Sequence, residues 1–184
     1  MSAAPQGWVQ ALLHFWFEEL APEQRFARDD SVDRQIRTRF AMCWHAMRGQ
    51  QPSRFLKDRE TALAAILLFD QVPRNMFRND ARAFATDRLA RAIARRAISK
   101  GWLCGLAQAE QQFLLMPLMH SKRIADQRQS LVRFTRLGSS YIRSFAVDHY
   151  RMVARFGRFP HRNAVLGRKS SPAEKAAVAA GNHW

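Results

Sequence analysis

Glycine and proline are both scarce in this 184-residue chain, at 8 and 7. That excludes collagen-like and low-complexity classes and leaves long stretches free to be helical. Cysteine is scarcer still, at 2. Cys43 and Cys104 stand apart among apolar neighbours, form no CxxC pair, and are expected to be buried reduced thiols, with no structural zinc site. No apolar run reaches the roughly 20 residues that span a bilayer, so no transmembrane segment is expected. The start Met1-Ser2-Ala3-Ala4-Pro5 lacks the basic and apolar regions of a secretory signal, so a cytoplasmic protein is expected. No stretch alternates β-branched and polar residues with period two, which argues against a sheet. Nor does a fixed-period internal repeat stand out. Acidic residues are outnumbered, 15 against 30 Lys and Arg, leaving a formal charge of +15. Such a field attracts polyanions without specifying a fold or a reaction.

What the chain does have is apolar material, 47% of its residues, enough for the core of one domain over residues 1–184. Only the last dozen or so residues have a composition that tends toward disorder. Apolar residues recur at helical spacing from Trp8 to Leu20, ahead of Pro22, and again at Val32, Ile36, Phe40, Cys43, Trp44 and Met47, after the capping oxygens of Asp29-Asp30-Ser31 and before Gly49. A third helix is expected from near Asp58 to about Asp70, because Pro73 disfavours helical geometry at Val72 and ends the ladder. An irregular stretch follows from Arg74 to Ala85. Thr86 and Asp87 then cap a helix carrying Leu89, Ile93 and Ile98, and a fifth helix covers Gln108 to His120 with Pro117 inside it as a source of kinking or distortion. Two more end at Gly138 and Gly157, and Ser171-Pro172-Ala173-Glu174 reads as a capping box that opens a short last helix. The expected class is all-α, with antiparallel helix hairpins stacked as a bundle or short solenoid.

Three segments carry more polar and aromatic residues than packing requires: Phe69 to Arg78, Leu118 to Lys122, and Arg155 to Asn163. All lie at helix ends, where forks of donors can be held in fixed geometry. Asp70, Arg74, Asn75, His120, Arg158, His161, Arg162 and Asn163 are the candidate ligand-binding residues, suited to a small anion or an acidic peptide. The same arginines can instead bond helix carbonyls and pair with Asp70, Asp87 and Asp126, tying irregular segments to the bundle.

The segments Ala11 to Phe17, Phe69 to Asn75 with Arg82 to Asp87, Met116 to Ser121, Ala125-Asp126-Gln127, and Arg155 to Asn163 with Leu166-Gly167-Arg168 resemble, in order, the motifs of a bacterial family known as domain of unknown function 924. The resemblance covers nearly the whole chain and implies a tetratricopeptide-like all-helical fold; it implies no activity. Many relatives carry an acidic residue after the His-Ser pair, where this chain has Lys122.

Two rival readings accompany the binding module. His120 and His161 suit an acid–base pair in an enzyme, since imidazole alone titrates near neutral pH without perturbation. Against this, no serine, cysteine or paired carboxylate stands at a nucleophile's spacing. Arg88, Arg91 and Arg95, with Arg96 and Lys100, repeat at helical spacing as a basic stripe, which is either a solvated face or a track for nucleic-acid phosphates. The scattered histidines, His45, His120, His149 and His161, make no metal motif, and no cofactor is expected. Trp8, Trp16, Phe17, Trp44 and Trp102 are expected mostly in the core.

Overall fold

A computed structural model describes residues 6–181. They form helices throughout, and no strand occurs among the described residues. In chain order these are α1 (Trp8–His14), α2 (Asp30–Met47), α3 (Arg59–Ile66), α4 (Val72–Met76), α5 (Asp87–Ser99), α6 (Gln108–Met119), α7 (Ile124–Arg136), α8 (Ser140–Phe156) and α9 (Pro172–Ala179), with short 3-10 turns between several of them. Three start where a capping oxygen predicts: Asp29 accepts from the backbone N–H of Ser31 and Val32, Asp58 from that of Thr61, and Ser171 from that of Glu174. The wide turn Phe15–Glu19 prolongs α1 to the point before Pro22 where its stripe was expected to stop.

The centre of the fold is α3. Ala62 to Ile66 and the π-turn after it, Leu67–Gln71, are buried all round. A helix apolar on every side needs partners on every side, and α1, α5 and α6 pack against it. Next to this, α6 packs on α7 and α7 on α8. Each pair is joined by only a few residues, which turns successive helices back on one another. Trp16 and Trp44 lie in the main core, and Trp8, Phe17 and Trp102 pack on it. A second, small cluster of Met152, Val153, Phe159 and Ala177 joins the end of α8 to the C-terminal segment.

Three expectations need correction. Helix three does not end at Pro73: the chain passes through the π-turn into α4, with Pro73 in its first turn. The π-turn shifts the bonding register so that the Val72 N–H reaches back to the Leu67 carbonyl, and a proline in a first turn loses no bond it would have made. In an uninterrupted α-helix the Phe69 carbonyl would accept from residue 73. Here the Thr86 hydroxyl donates to it at 2.6 Å and accepts from the Trp44 indole N–H at 3.2 Å. Thr86 therefore precedes α5 without capping it through its side chain. Cys104 is exposed, in a turn between the left-handed Gly101 and Gly105, whereas Cys43 is buried; both are free thiols. The expected short last helix is present over residues 172–179, opened by the Ser171–Glu174 capping box, and residues 182–184 lie outside the described residues.

Candidate functional site

Asp70 sits in the π-turn, where the locally widened backbone carries a carboxylate inside an otherwise apolar segment. It is fully buried. An isolated buried carboxylate would be costly, and donors converge on this one. His120 Nδ1 lies 2.9 Å from both carboxylate oxygens. Gln71 Nε2 donates at 2.5 Å, and the Arg74 guanidinium stands 3.3 Å away while also donating to the Asp70 main-chain carbonyl. Burial pushes the Asp70 pKa up, but the nearby Arg74 charge, the His120 contact and the Gln71 hydrogen bond outweigh it and hold it well below the usual carboxylate range. An ionised Asp70 can only accept, so Nδ1 of His120 carries the proton and Nε2 is left as the acceptor.

His120 ends α6 just beyond Pro117, the region a helix-interior proline singles out, and its side chain is 10% exposed. Burial, Arg74 and Arg162 lower its pKa against the opposing pull of Asp70, so the imidazole is neutral at neutral pH.

Arg74 also reaches forward to Asp87, the first residue of α5, at 3.0 Å. Asp87 in turn accepts from Arg162 at 3.1 Å. The Arg162 guanidinium lies between the rings of Phe84 and Phe159, 4.5 and 4.4 Å from their centroids. Desolvation lowers its pKa to about 10, partly offset by Asp87, which leaves it cationic at neutral pH. His149, buried on α8, closes the group. Its Nδ1 donates to the Phe145 carbonyl at 2.8 Å, and its ring lies tilted 5.9 Å from that of His120 and edge-on 5.4 Å from that of Phe159. Burial first, then the neighbouring cationic side, holds its pKa well below the ordinary histidine range.

The three segments named from sequence therefore meet: the Asp70 turn, His120, and the stretch after α8. The eight candidate residues do not all share one cluster. Asp70, Arg74, His120 and Arg162 do; His161 adjoins it through the Phe159 ring at 5.8 Å and the Arg162 Nε at 3.4 Å. Asn75 belongs to a neighbouring network, donating to the Gln71 carbonyl at 3.0 Å and accepting from Arg78, which pairs with Asp33 of α2. Arg158 grips Glu174 of α9 through two bonds of 2.6 and 2.9 Å, and the buried Asn163 donates to Ser170 at 3.0 Å. Those two residues hold the C-terminal segment rather than the Asp70 cluster.

Arg74 and Arg162 pair with Asp70 and Asp87, two of the carboxylates named in the second sequence reading, whereas Arg158 pairs with Glu174 and Asp126 with arginines of α5. Asp70 and Asp87 balance Arg74 and Arg162, so the cluster holds no surplus of cation. The basic stripe is likewise reduced: Arg91 and Arg95 both bond the buried Asp126, the latter at 2.7 Å, and Ser121 donates to the same carboxylate at 2.7 Å. Arg88 remains exposed.

His149 and Phe84 were not singled out. The available signal for His149 was its place on the apolar stripe of α8 with Phe145, Met152, Val153 and Phe156, where a polar residue needs a partner. No sequence pattern announces the position of Phe84 over Arg162, which is a purely tertiary contact. Among the described residues no group of histidine, cysteine and carboxylate side chains is arranged to hold a metal ion, and no helix is long and apolar enough to cross a membrane.

A family model described as bacterial protein of unknown function (DUF924) matches residues 12–182 of the chain. A solved structure of a protein of unknown function from Agrobacterium tumefaciens superposes with a TM-score of 0.88 at 33% identity, covering 94% of this chain and 97% of that one. No curated protein matches the chain.

Proposed function

The chain belongs to the bacterial DUF924 family, and from that premise we propose that it is a helical binding module whose Asp70–His120 site takes a small anionic ligand that also bears an O–H donor. One observation carries the reading: a fully buried carboxylate holds His120 by Nδ1 at 2.9 Å and so presents a neutral Nε2 acceptor beside a cationic Arg162. The anionic group would bond the guanidinium N–H groups of Arg162 that Asp87 does not use, and the ligand hydroxyl would donate to Nε2. Because Arg74 and Arg162 already face carboxylates, a compact ligand that adds one hydrogen bond to each partner fits better than an extended acidic peptide or a nucleic-acid backbone, which need surplus positive charge.

The same pair supports an enzyme as the second reading, since an imidazole oriented by a carboxylate is the geometry of a general base. In that reading Asp70 orients His120 and Arg162 positions the substrate. His161, which adjoins the cluster through Phe159 and Arg162, is the second imidazole of that reading.

The test is nuclear magnetic resonance of histidine-labelled protein titrated with inorganic phosphate, acetate, and short 2-hydroxy and 3-hydroxy acids. The expected result is a saturable change in the His120 Nε2 signal for a hydroxy acid, absent for acetate and lost in Arg162→Gln. Flat signals for the whole series up to tens of millimolar would sink the binding reading.

A further inference from the structure

Phe159 and Arg162, which pack on His149 and Asp87 next to the Asp70–His120 pair, come from a segment held differently from the rest of the molecule. The main core runs from Leu12 to Ala146 and includes nothing after α8. Beyond Gly157, whose backbone is left-handed at φ 66 and so can turn the chain sharply where another residue would be strained, the segment has its own small cluster. α9 buries only Glu174 and Ala177 along its length. A helix of so few residues is not stable on its own in water, so its attachments decide whether it is formed. Those attachments are the two Arg158–Glu174 bonds, the bond from Arg158 to the Lys169 carbonyl at 3.1 Å, and the Asn163–Ser170 bond.

At its inner end the same segment delivers Phe159 against His149 and Arg162 into the slot between Phe84 and Asp87. Arg162 is the one charged group of the segment that enters the cluster, and its partner Asp87 is retained on the other side by Arg74. Withdrawal of Arg162 would therefore leave Asp87 still compensated. That makes opening far less costly than breaking an isolated buried pair.

We infer that the segment from Gly157 to Gly181 is a strap over the Asp70–His120 pair, hinged at Gly157, held together by the internal Arg158–Glu174 bonds and latched to the rest of the molecule by Arg162 on Asp87 and Phe159 on His149. In the closed state it shields His120 and His149; in the open state it gives access to them. This goes beyond the proposed ligand, and its test does not require any ligand to bind.

The experiment compares the full chain with Arg162→Gln, which removes the bond to Asp87, and with Glu174→Gln, which loosens the strap's own fold. Two readouts are followed: amide hydrogen exchange by mass spectrometry, and the rate at which diethyl pyrocarbonate modifies individual histidines. In the unaltered chain the amides of α9 should exchange roughly tenfold or more faster than those of α3 and α6, because the strap opens below the cost of global unfolding. Both variants should accelerate exchange in residues 158–181 and raise the modification rate of His120, with α3 and α6 unchanged. Equal protection of α9 and α3 in the unaltered chain would overturn the strap, as would acceleration spread over the whole molecule in both variants. Unchanged His120 modification with a loosened segment would show that it does not close the site.

Discussion

A carboxylate sealed from water persists as an anion only where donors converge on it, and at Asp70 these are a histidine, a glutamine and an arginine. Asp70→Asn removes the charge while keeping the shape, leaving Arg74 with Asp87 alone and His120 without a partner that fixes its tautomer. The expected cost is about 3 kcal/mol, the scale for breaking a buried pair, measured by urea denaturation. His120 and His149 set a second expectation. Both have pKa values held below the ordinary 6.5, chiefly by burial. As pH falls through that value the unfolded chain takes up protons that the folded chain refuses, so stability contributed by the neutral imidazoles is present above it and lost below. The melting temperature should fall between neutral pH and pH of about 5, and His149→Gln should flatten the slope over that interval. An unchanged slope in the variant would exclude His149 as a source.

Among the elements, the passage from α3 to α4 shows how a helix accommodates a proline that local rules would treat as a stop. The π-turn moves the bonding register, and the Thr86 hydroxyl takes the place of the missing donor at the Phe69 carbonyl. Thr86→Val should leave that buried carbonyl and the Trp44 indole N–H unpaired, at a cost of about 1–3 kcal/mol. Pro73→Ala restores a main-chain donor four residues after Phe69. The double variant should be less destabilised than the two single effects added together, and strict additivity in a denaturation cycle would show that the two residues do not share the carbonyl. In the last helix, Glu174 has its pKa drawn down to about 2 by Arg158 and the Ser171 backbone N–H, from an ordinary 4.5. Its contribution is therefore present above 4.5 and lost as pH falls toward 2. Exchange in α9 should rise across that window in the unaltered chain but not in Glu174→Gln, where no carboxylate titrates.

Taken as a whole molecule, the +15 charge is spread over the surface, yet part of what looks like a basic face is structural. Arg91 and Arg95 neutralise Asp126, which ties α5 to α7, whereas Arg88 is exposed. Arg91→Ala should lower stability by roughly 2 kcal/mol, since Arg95 and Ser121 still satisfy part of Asp126. Arg88→Ala should leave stability intact. On a heparin column the two variants should elute at nearly the same, slightly reduced salt concentration, because one charge counts alike wherever it sits in a diffuse field. A much larger shift for Arg88→Ala would point to a localised polyanion site instead.

Periodicity, caps and glycine stops determined several helix ends closely: the Asp29 cap before α2, the Gly157 stop after α8 and the Ser171–Glu174 box that opens α9 all act within one turn, and local rules suffice there. They also marked the three polar segments, since charge and aromatic density at helix ends is visible without a fold. What only the tertiary structure decided is partnership. Whether Arg162 faces a ligand or Asp87, whether Arg91 lies open to solvent or on Asp126, and whether Pro73 ends a helix or opens the next depend on groups as much as 75 positions away in the chain, as Arg162 is from Asp87. Their approach is set by packing around α3. A guanidinium pairs with whichever carboxylate the core brings within reach, and that distance is written in no local pattern.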